Sequence, residues 1–371
     1  MPTILDKSHV LLTGATGLIG GEFARHLVKQ FDATVVCLVR TRDALPPTER
    51  LQRRLTRCGE SLSIDELGKI WAVNGDVTQE NLGMDPETFR AEQQEIDVII
   101  HSAAETSFIR SQNCHDINIK GTQAVIDFAK RCVRKPLIVY ISTACNIGEA
   151  SGKNLSEDEG CQPDNSHFNA YTQSKAVAEQ MIRQSGLPIL IIRPSIVLSA
   201  GLNEPVFARQ ILWVAPVFNA FESLPINPDA RIDIVPVSFV VDATLKLINL
   251  PVRKHDCYHV SAGTDFSIRM ADLTALINRH YGKENLLNCV RPSEWTKELT
   301  RKFVVTKTQR KLYFSLRYYL PFLNMDLTFD NRRLRQEVDV ALIGLTRPND
   351  YIGGVLSQIN LEDALKESQN P

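Results

Sequence analysis

Thr13-Gly14-Ala15-Thr16-Gly17-Leu18-Ile19-Gly20 follows directly on the apolar run His9-Val10-Leu11-Leu12. A short apolar run that ends in glycines and passes at once into a periodic segment reads as buried strand, tight turn and helix. Glycines at 14, 17 and 20 remove side chains where a backbone must approach something closely. The helix opening at Leu18 offers unpaired N–H groups and the positive end of its dipole to an anion, and a pyrophosphate fits that description. The spacing is G-x-x-G-x-x-G, not the commoner G-x-G-x-x-G. Glycines also mark ordinary turns, so the context carries the inference: the strand before, and Phe23, Leu27 and Val28 on one helix face after.

Working outward, short β-branched runs alternate with helical patterns through two thirds of the chain. The expected strands are Val10–Thr13, Thr34–Val39, Ile70–Val73, Asp97–His101, Leu137–Ser142 and Ile189–Ile192, with a further one at Tyr258–Ser261. Helices are expected at Leu18–Phe31, Thr48–Thr56, Gly121–Cys132, Ala170–Ser185, Phe207–Phe221 and Val240–Asn249. Nearly continuous apolar strands need a sheet covered on both faces, and βαβ alternation makes it parallel. The expected fold is α/β, a doubly wound parallel Rossmann sheet with a smaller mixed C-terminal substrate domain. The dinucleotide lobe is placed at 1–200, with 235–262 returning to it, and the substrate lobe at 201–234 and 263–371.

Composition narrows the partners. The 371 residues allow one large or two moderate domains, and a net charge of −1 gives no footprint for nucleic acid. Eight scattered cysteines without a C-x-x-C pair point to reduced thiols and to no metal. Met1–Lys7 lacks the basic start and apolar core of a signal peptide, and no run reaches the ~18 apolar residues of a membrane span. A cytoplasmic protein is the expectation.

The second strand ends in Leu38-Val39-Arg40-Thr41-Arg42, about twenty residues past Gly20, where NAD-specific folds carry an acid for the ribose 2′-hydroxyl. A guanidinium suits a 2′-phosphate in charge and fork geometry, so NADPH is the expected cofactor. The alternative is a solvated arginine pair, with Asp43 close enough to neutralise one member. In Gly75-Asp76-Val77, Asp76 either accepts from the adenine amino group or caps the next helix.

Tyr171-Thr172-Gln173-Ser174-Lys175 sets a phenol and an ammonium four residues apart, on one face of a helix. The lysine, with the oxidised nicotinamide, is expected to lower the phenol's pKa from its reference near ~10. Upstream, Tyr140-Ile141-Ser142-Thr143-Ala144 ends a strand on two hydroxyls.

With these residues in place, the sequence resembles the extended short-chain dehydrogenase/reductase superfamily over roughly residues 8–262. Its marks are Thr13–Gly20, Gly75-Asp76-Val77, His101-Ser102-Ala103-Ala104, Asn118–Thr122, Ser142-Thr143, Tyr171–Lys175 and Arg193-Pro194. The resemblance implies Tyr171 as proton donor, Thr143 as the assisting hydroxyl with Ser142 second, and Lys175 on the nicotinamide ribose. It implies a cofactor lined by Thr13, Gly14, Thr16, Gly17, Leu18, Ile19, Arg40, Asp76, Val77, Ser102, Ala103, Ala104, Asn118, Pro194, Ser195 and Ile196.

Local runs resemble its fatty acyl reductase and thioester reductase branch: Cys37–Arg40 with Glu49-Arg50-Leu51, His101–Phe108, Arg193–Val197, Asp233–Val237 and Asn324–Asn331. That branch implies NADPH-dependent reduction of an acyl thioester, carried by coenzyme A or by a separate carrier protein, to an aldehyde; the residues leave open whether a second hydride takes the aldehyde on to an alcohol. Val206–Phe221 and parts of 262–330 would cover the acyl chain or form the second domain's core. The basic aromatic stretch Lys302–Tyr319 would touch a membrane surface or an acidic carrier, or be a solvated helix face. Cys145 beside Thr143 raises a covalent-acyl alternative, set against a plain buried thiol. Competing readings keep the fold as an epimerase, dehydratase or secondary-alcohol dehydrogenase, or make the chain a non-enzymatic NADP-sensing protein.

Overall fold

The computed structural model describes residues 4–42, 44–56, 61–108, 110–199, 214–282 and 287–359. Asp43, the stretch from 206 to 213 and the polar tail after Asn360 lie outside the described residues.

Seven strands form one parallel sheet: β1 His9–Thr13, β2 Thr34–Val39, β3 Ile70–Asn74, β4 Val98–His101, β5 Leu137–Ile141, β6 Ile189–Pro194 and β7 Cys257–Val260. Their order across the sheet is β7-β6-β5-β4-β1-β2-β3. Successive side chains leave opposite faces, which the core reflects. Val10, Leu12, Val98 and Ile100 pack with Phe23, Leu27 and Phe239 on one side. Leu11, Ile99, Ile138 and Tyr140 pack with Phe89 and Phe128 on the other. Both faces are covered except at the edge strand β3, where Trp71 and Asn74 are exposed, which is why the inner strands read as unbroken apolar runs.

Chain order reverses between β1 and β4, and there the strand ends splay into a crevice. The turn after β1 makes that crevice floor. Gly14 has φ +76°, and a Cβ there would stand 2.7 Å from Ala103 N. At Gly20 a Cβ would meet the Gly14 carbonyl oxygen at 2.2 Å, so the Leu18–Gln30 helix can sit this close to the turn only without one. Gly14→Ala therefore strains both the left-handed backbone and the β1–β4 contact. It is expected to lower the thermal midpoint and weaken dinucleotide binding at least about tenfold, measured by calorimetric titration.

The Gly121–Arg131 helix is preceded by a stretch with wider, π-type winding at Cys114–Lys120, which the sequence pattern did not foresee. A Pro86–Glu95 helix, also unforeseen, opens on Asp85, whose carboxylate caps Glu87 N and Thr88 N. The Ala170–Gln184 helix opens on Asn169, whose side chain accepts from Thr172 N.

Beyond β6 a second core gathers Phe218, Phe221, Ile232, Met270, Ile277, Leu312, Leu316 and Ile352. Small ladders tie it back: Leu327–Phe329 pairs with Lys153–Leu155, and Ile234–Pro236 with Ile196–Leu198. Leu334, Val338, Ile343 and Leu345 return to the main sheet's core. The chain crosses between the two cores more often than a division at 201, 235 and 263 describes. Among the described residues, no helix is long and apolar enough to cross a membrane.

Candidate active site

The crevice at the strand ends is a cleft of about 630 Å³, within the range of small-molecule sites. Its lining runs from the glycine turn (Thr13, Gly14, Thr16, Gly17, Leu18, Ile19) to Tyr171 and Lys175. Arg40, Asp76, Val77, Ser102, Ala103, Ala104, Thr143, Pro194, Ser195 and Ile196 line it too. One expected residue stands apart. Asn118 is buried beneath the cleft, accepting from Glu105 N at 2.8 Å and donating to Glu105 O at 2.9 Å and Ser174 Oγ at 2.8 Å. It fixes the loop that leads to Thr106 and Phe108, both of which line the cleft.

The floor fits a dinucleotide. A hollow that any Cβ at Gly14 would fill leads to the N-terminus of a 13-residue helix whose cap, Gly17, supplies no side-chain acceptor. Those first N–H groups stay open to an anion. The turn is held by a buried chain of bonds. Thr122 Oγ1 donates to Asn118 O at 2.6 Å, so it accepts from His101 Nε2 at 3.0 Å. His101 Nδ1 is then the acceptor for Thr13 Oγ1 at 2.8 Å, and Thr13 Oγ1 accepts from Ala103 N at 3.1 Å. Burial pushes the imidazole down to about 3, so it stays neutral and keeps this polarity.

Arg40, Arg42 and Arg50 line the other end of the cleft together. Arg50 donates to the Arg40 carbonyl, and Arg40 Nη1 lies 3.8 Å from Asp76 Oδ2. Asp76 also accepts from Thr78 N at 2.9 Å and Thr78 Oγ1 at 2.8 Å. It therefore closes the turn after β3 while facing the cleft.

At the reacting end, Tyr171 and Lys175 lie on one face of the Ala170–Gln184 helix. The lysine by itself does not produce the lowering expected of it together with an oxidised nicotinamide. Burial raises the Tyr171 phenol above its usual value, with the Thr143 hydroxyl partly offsetting this. The lysine is itself buried, donates to Ile141 O, and sits 4.2 Å from the Tyr140 ring centre. Burial brings it down to about 7, against the opposing pull of Glu179.

The two strand-end hydroxyls have separate tasks. Ser142 Oγ donates to Glu179 Oε2 at 2.7 Å and accepts from Asn146 Nδ2 at 3.2 Å, so it is committed to the scaffold. Thr143 Oγ1 accepts from Cys145 N at 3.3 Å, interacts with the Tyr171 phenol and lines the cleft. Glu179 is fully buried and anchors this corner. It receives Arg193 Nη2 at 2.7 Å and Arg183 Nη2 at 2.8 Å. Its place one turn beyond Lys175, at the i, i+4, i+8 spacing from Tyr171, was the signal in the sequence.

Opposite Tyr171 stands an aromatic wall. Phe108 stacks on Tyr171 with ring centres 6.4 Å apart and on Tyr319 at 4.8 Å, and it meets Phe322 at 5.2 Å. Tyr319 and Phe322 come from the C-terminal third, inside the span 262–330 expected to cover the acyl chain, in which neither was singled out. Cys145 also lines the cleft, but burial pushes its thiol up to about 12, far from a thiolate nucleophile at neutral pH.

Comparison with known proteins agrees with this geometry. The chain is 30% identical over 273 residues to the nonribosomal peptide synthetase asaC of Aspergillus flavus, a match covering 69% of this chain and 26% of that protein. It is 23% identical to the alcohol-forming fatty acyl-CoA reductase of Simmondsia chinensis, covering 98% of this chain and 91% of that one. The chain spans about a quarter of the synthetase, and 59% of a Drosophila melanogaster relative. The crystal structure of the terminal R domain from the myxalamid PKS-NRPS biosynthetic pathway superposes with a TM-score of 0.76 at 23% identity, over 98% of this chain and 91% of that one. That likeness shows the fold. Residues 12–244, more than half of the chain, match the NAD-binding family described as male sterility protein. The dinucleotide this cleft takes is thus a nicotinamide cofactor, and the chain belongs to the male sterility protein family.

Proposed function

We propose that the protein is an NADPH-dependent oxidoreductase that reduces acyl thioesters, held on coenzyme A or on a carrier protein, to an aldehyde and the free thiol. The aromatic wall of Phe108, Tyr319 and Phe322 facing Tyr171 carries this reading. It offers an apolar surface for an acyl chain. A sugar nucleotide, the substrate class of an epimerase on this fold, would need hydrogen-bond partners there.

When bound, the cofactor supplies a hydride to the acyl carbon. The protein's part is to hold the carbonyl oxygen and the proton. Tyr171, kept protonated by burial, donates to that oxygen, and the Thr143 hydroxyl donates beside it. Donors aimed at developing negative charge are usually the largest contribution to such a reaction. Lys175, directed by its bond to Ile141 O, stands ready to bind a ribose hydroxyl. Cys145 needs no role, because hydride adds to the thioester directly. The collapse of the resulting hemithioacetal releases thiol and aldehyde.

The choice of NADPH rests on Arg40, with Arg42 and Arg50 close by. Removing one charge-assisted phosphate contact costs about 1.5–3 kcal/mol. Arg40→Ala is expected to weaken NADPH binding about 10- to 100-fold while leaving NADH affinity nearly unchanged. Equal losses for both cofactors would place the guanidinium elsewhere than on a 2′-phosphate.

The function itself is tested by following NADPH absorbance with acyl-CoA esters of several lengths, the matching aldehydes and UDP-sugars. Thioester-dependent oxidation supports the reading. Turnover confined to aldehydes or sugar nucleotides would replace it with a dehydrogenase or epimerase.

A further inference from the structure

The Lys307–Leu316 helix opens on a capping box between Thr306 and Gln309, and its inner face is fixed by Leu312 and Leu316 in the second core. Tyr313 packs on Phe221 from the same side. Its outer face is of a different kind. Lys307, Arg310, Lys311 and Phe314 follow the i, i+3, i+4, i+7 spacing of a single stripe, and all four are exposed. Arg317 continues the stripe and lies 3.7 Å over the Phe314 ring. Phe314 is 56% exposed, and Val305, just before the helix, is 57% exposed. With Arg301 and Lys302 the segment holds six cations, and no Asp or Glu occurs between Glu298 and Asp326. Two residues past Arg317 the chain reaches Tyr319, which lines the cleft and stacks on Phe108.

A chain with almost no net charge that places six cations and an exposed phenylalanine on one acid-free segment has an anionic surface as its natural complement. Four to eight Lys or Arg residues in a cluster suffice to hold a protein on acidic phospholipid, each contributing about fivefold in affinity. An aromatic among them inserts at the headgroup level. We propose that this face docks the protein on an anionic phospholipid surface, with the side of the cleft that Tyr319 lines turned toward the bilayer. If the thioester reading above holds, an apolar acyl chain then enters from the lipid side. The docking itself does not depend on that reading.

The experiment is co-sedimentation of the full chain with phosphatidylcholine vesicles, with and without phosphatidylglycerol. Binding should require phosphatidylglycerol and fall steeply with added salt. The triple variant Lys307→Gln/Arg310→Gln/Lys311→Gln should bind about 100-fold more weakly. Phe314→Ser should cost about tenfold. None of these side chains lines the cleft, so an unchanged thermal midpoint and unchanged nicotinamide-cofactor binding serve as the folding control. Equal binding to both vesicle types, or an unchanged triple variant, overturns the proposal. So does a triple variant that alters only the KM for a thioester on an acidic carrier protein, which would make the face a protein interface. Vesicle binding without thioester reduction would leave the docking assignment standing and remove the proposed activity.

Discussion

Tyr171→Phe is expected to leave NADPH affinity unchanged and to lower kcat by about 10²–10⁴-fold, the range for loss of a positioned general acid. The change removes one oxygen and keeps the ring, so the stack on Phe108 survives and the aromatic wall stays in place. Burial holds the phenol's proton, and the role proposed for it is to donate as charge builds on the substrate oxygen. Thr143→Val, tested beside it, should cost less, because the second donor is then lost while the proton source remains. Steady-state kinetics with a fluorescence titration of cofactor separates the two quantities. A Tyr171→Phe enzyme with normal kcat would remove the phenol from the reaction.

Glu179→Gln carries the largest expected loss of stability. The carboxylate is fully buried between Arg193 and Arg183 and also accepts from Ser142 and Asn146. Neutralising it strands Arg193, itself 1% exposed, without its counter-charge. Breaking a buried pair from one side typically costs about 3–5 kcal/mol. The sign with pH follows from the direction of the shift. Arg193 and Arg183 overcome burial and hold the Glu179 carboxyl down at about 2, below its ordinary 4.5. Its contribution is therefore complete above about pH 4.5 and disappears as pH falls toward 2. Urea midpoints of wild type and variant should differ most at neutral pH and converge in acid. A constant difference across that window would mean that the charge is not what stabilises the corner. Because Glu179 also supports the charge on Lys175, any activity left in the variant should lose its alkaline limb at lower pH than wild type.

How far the sequence speaks depends on how local the cause is. The strand, turn and helix at 9–30 are legible because their glycines answer to contacts within the turn and with the neighbouring β4 end. Tyr171 and Lys175 are legible because four residues define one helix face. The Pro86–Glu95 helix escaped because only Phe89 of its residues is buried, so it has no apolar stripe; its signal was the Asp85-Pro86 cap. Tyr319 and Phe322 were foreseen only as part of the broad span 262–330, without being singled out, for a different reason. They reach Phe108 only through the packing of the second core, and no spacing near them encodes that. The roles of Ser142 and Asn118 also needed coordinates. Asn118 stands outside the cleft lining, and Ser142 lines the cleft with its hydroxyl already engaged by Glu179. The lysine by itself does not lower the tyrosine, because proximity along a helix does not set direction: Ile141 O takes the ammonium.

The central claim is that hydride goes to a thioester carbonyl in this cleft, and the most direct measurement follows the hydride itself. Protein, acyl-CoA and NADPH carrying deuterium at the transferred position are incubated together, and the product is read by mass spectrometry. The account predicts deuterium on the former acyl carbon, with free coenzyme A released in step with aldehyde or alcohol. Deuterium retained on the cofactor with every thioester, or delivered only to a secondary carbinol carbon of another substrate, would contradict it.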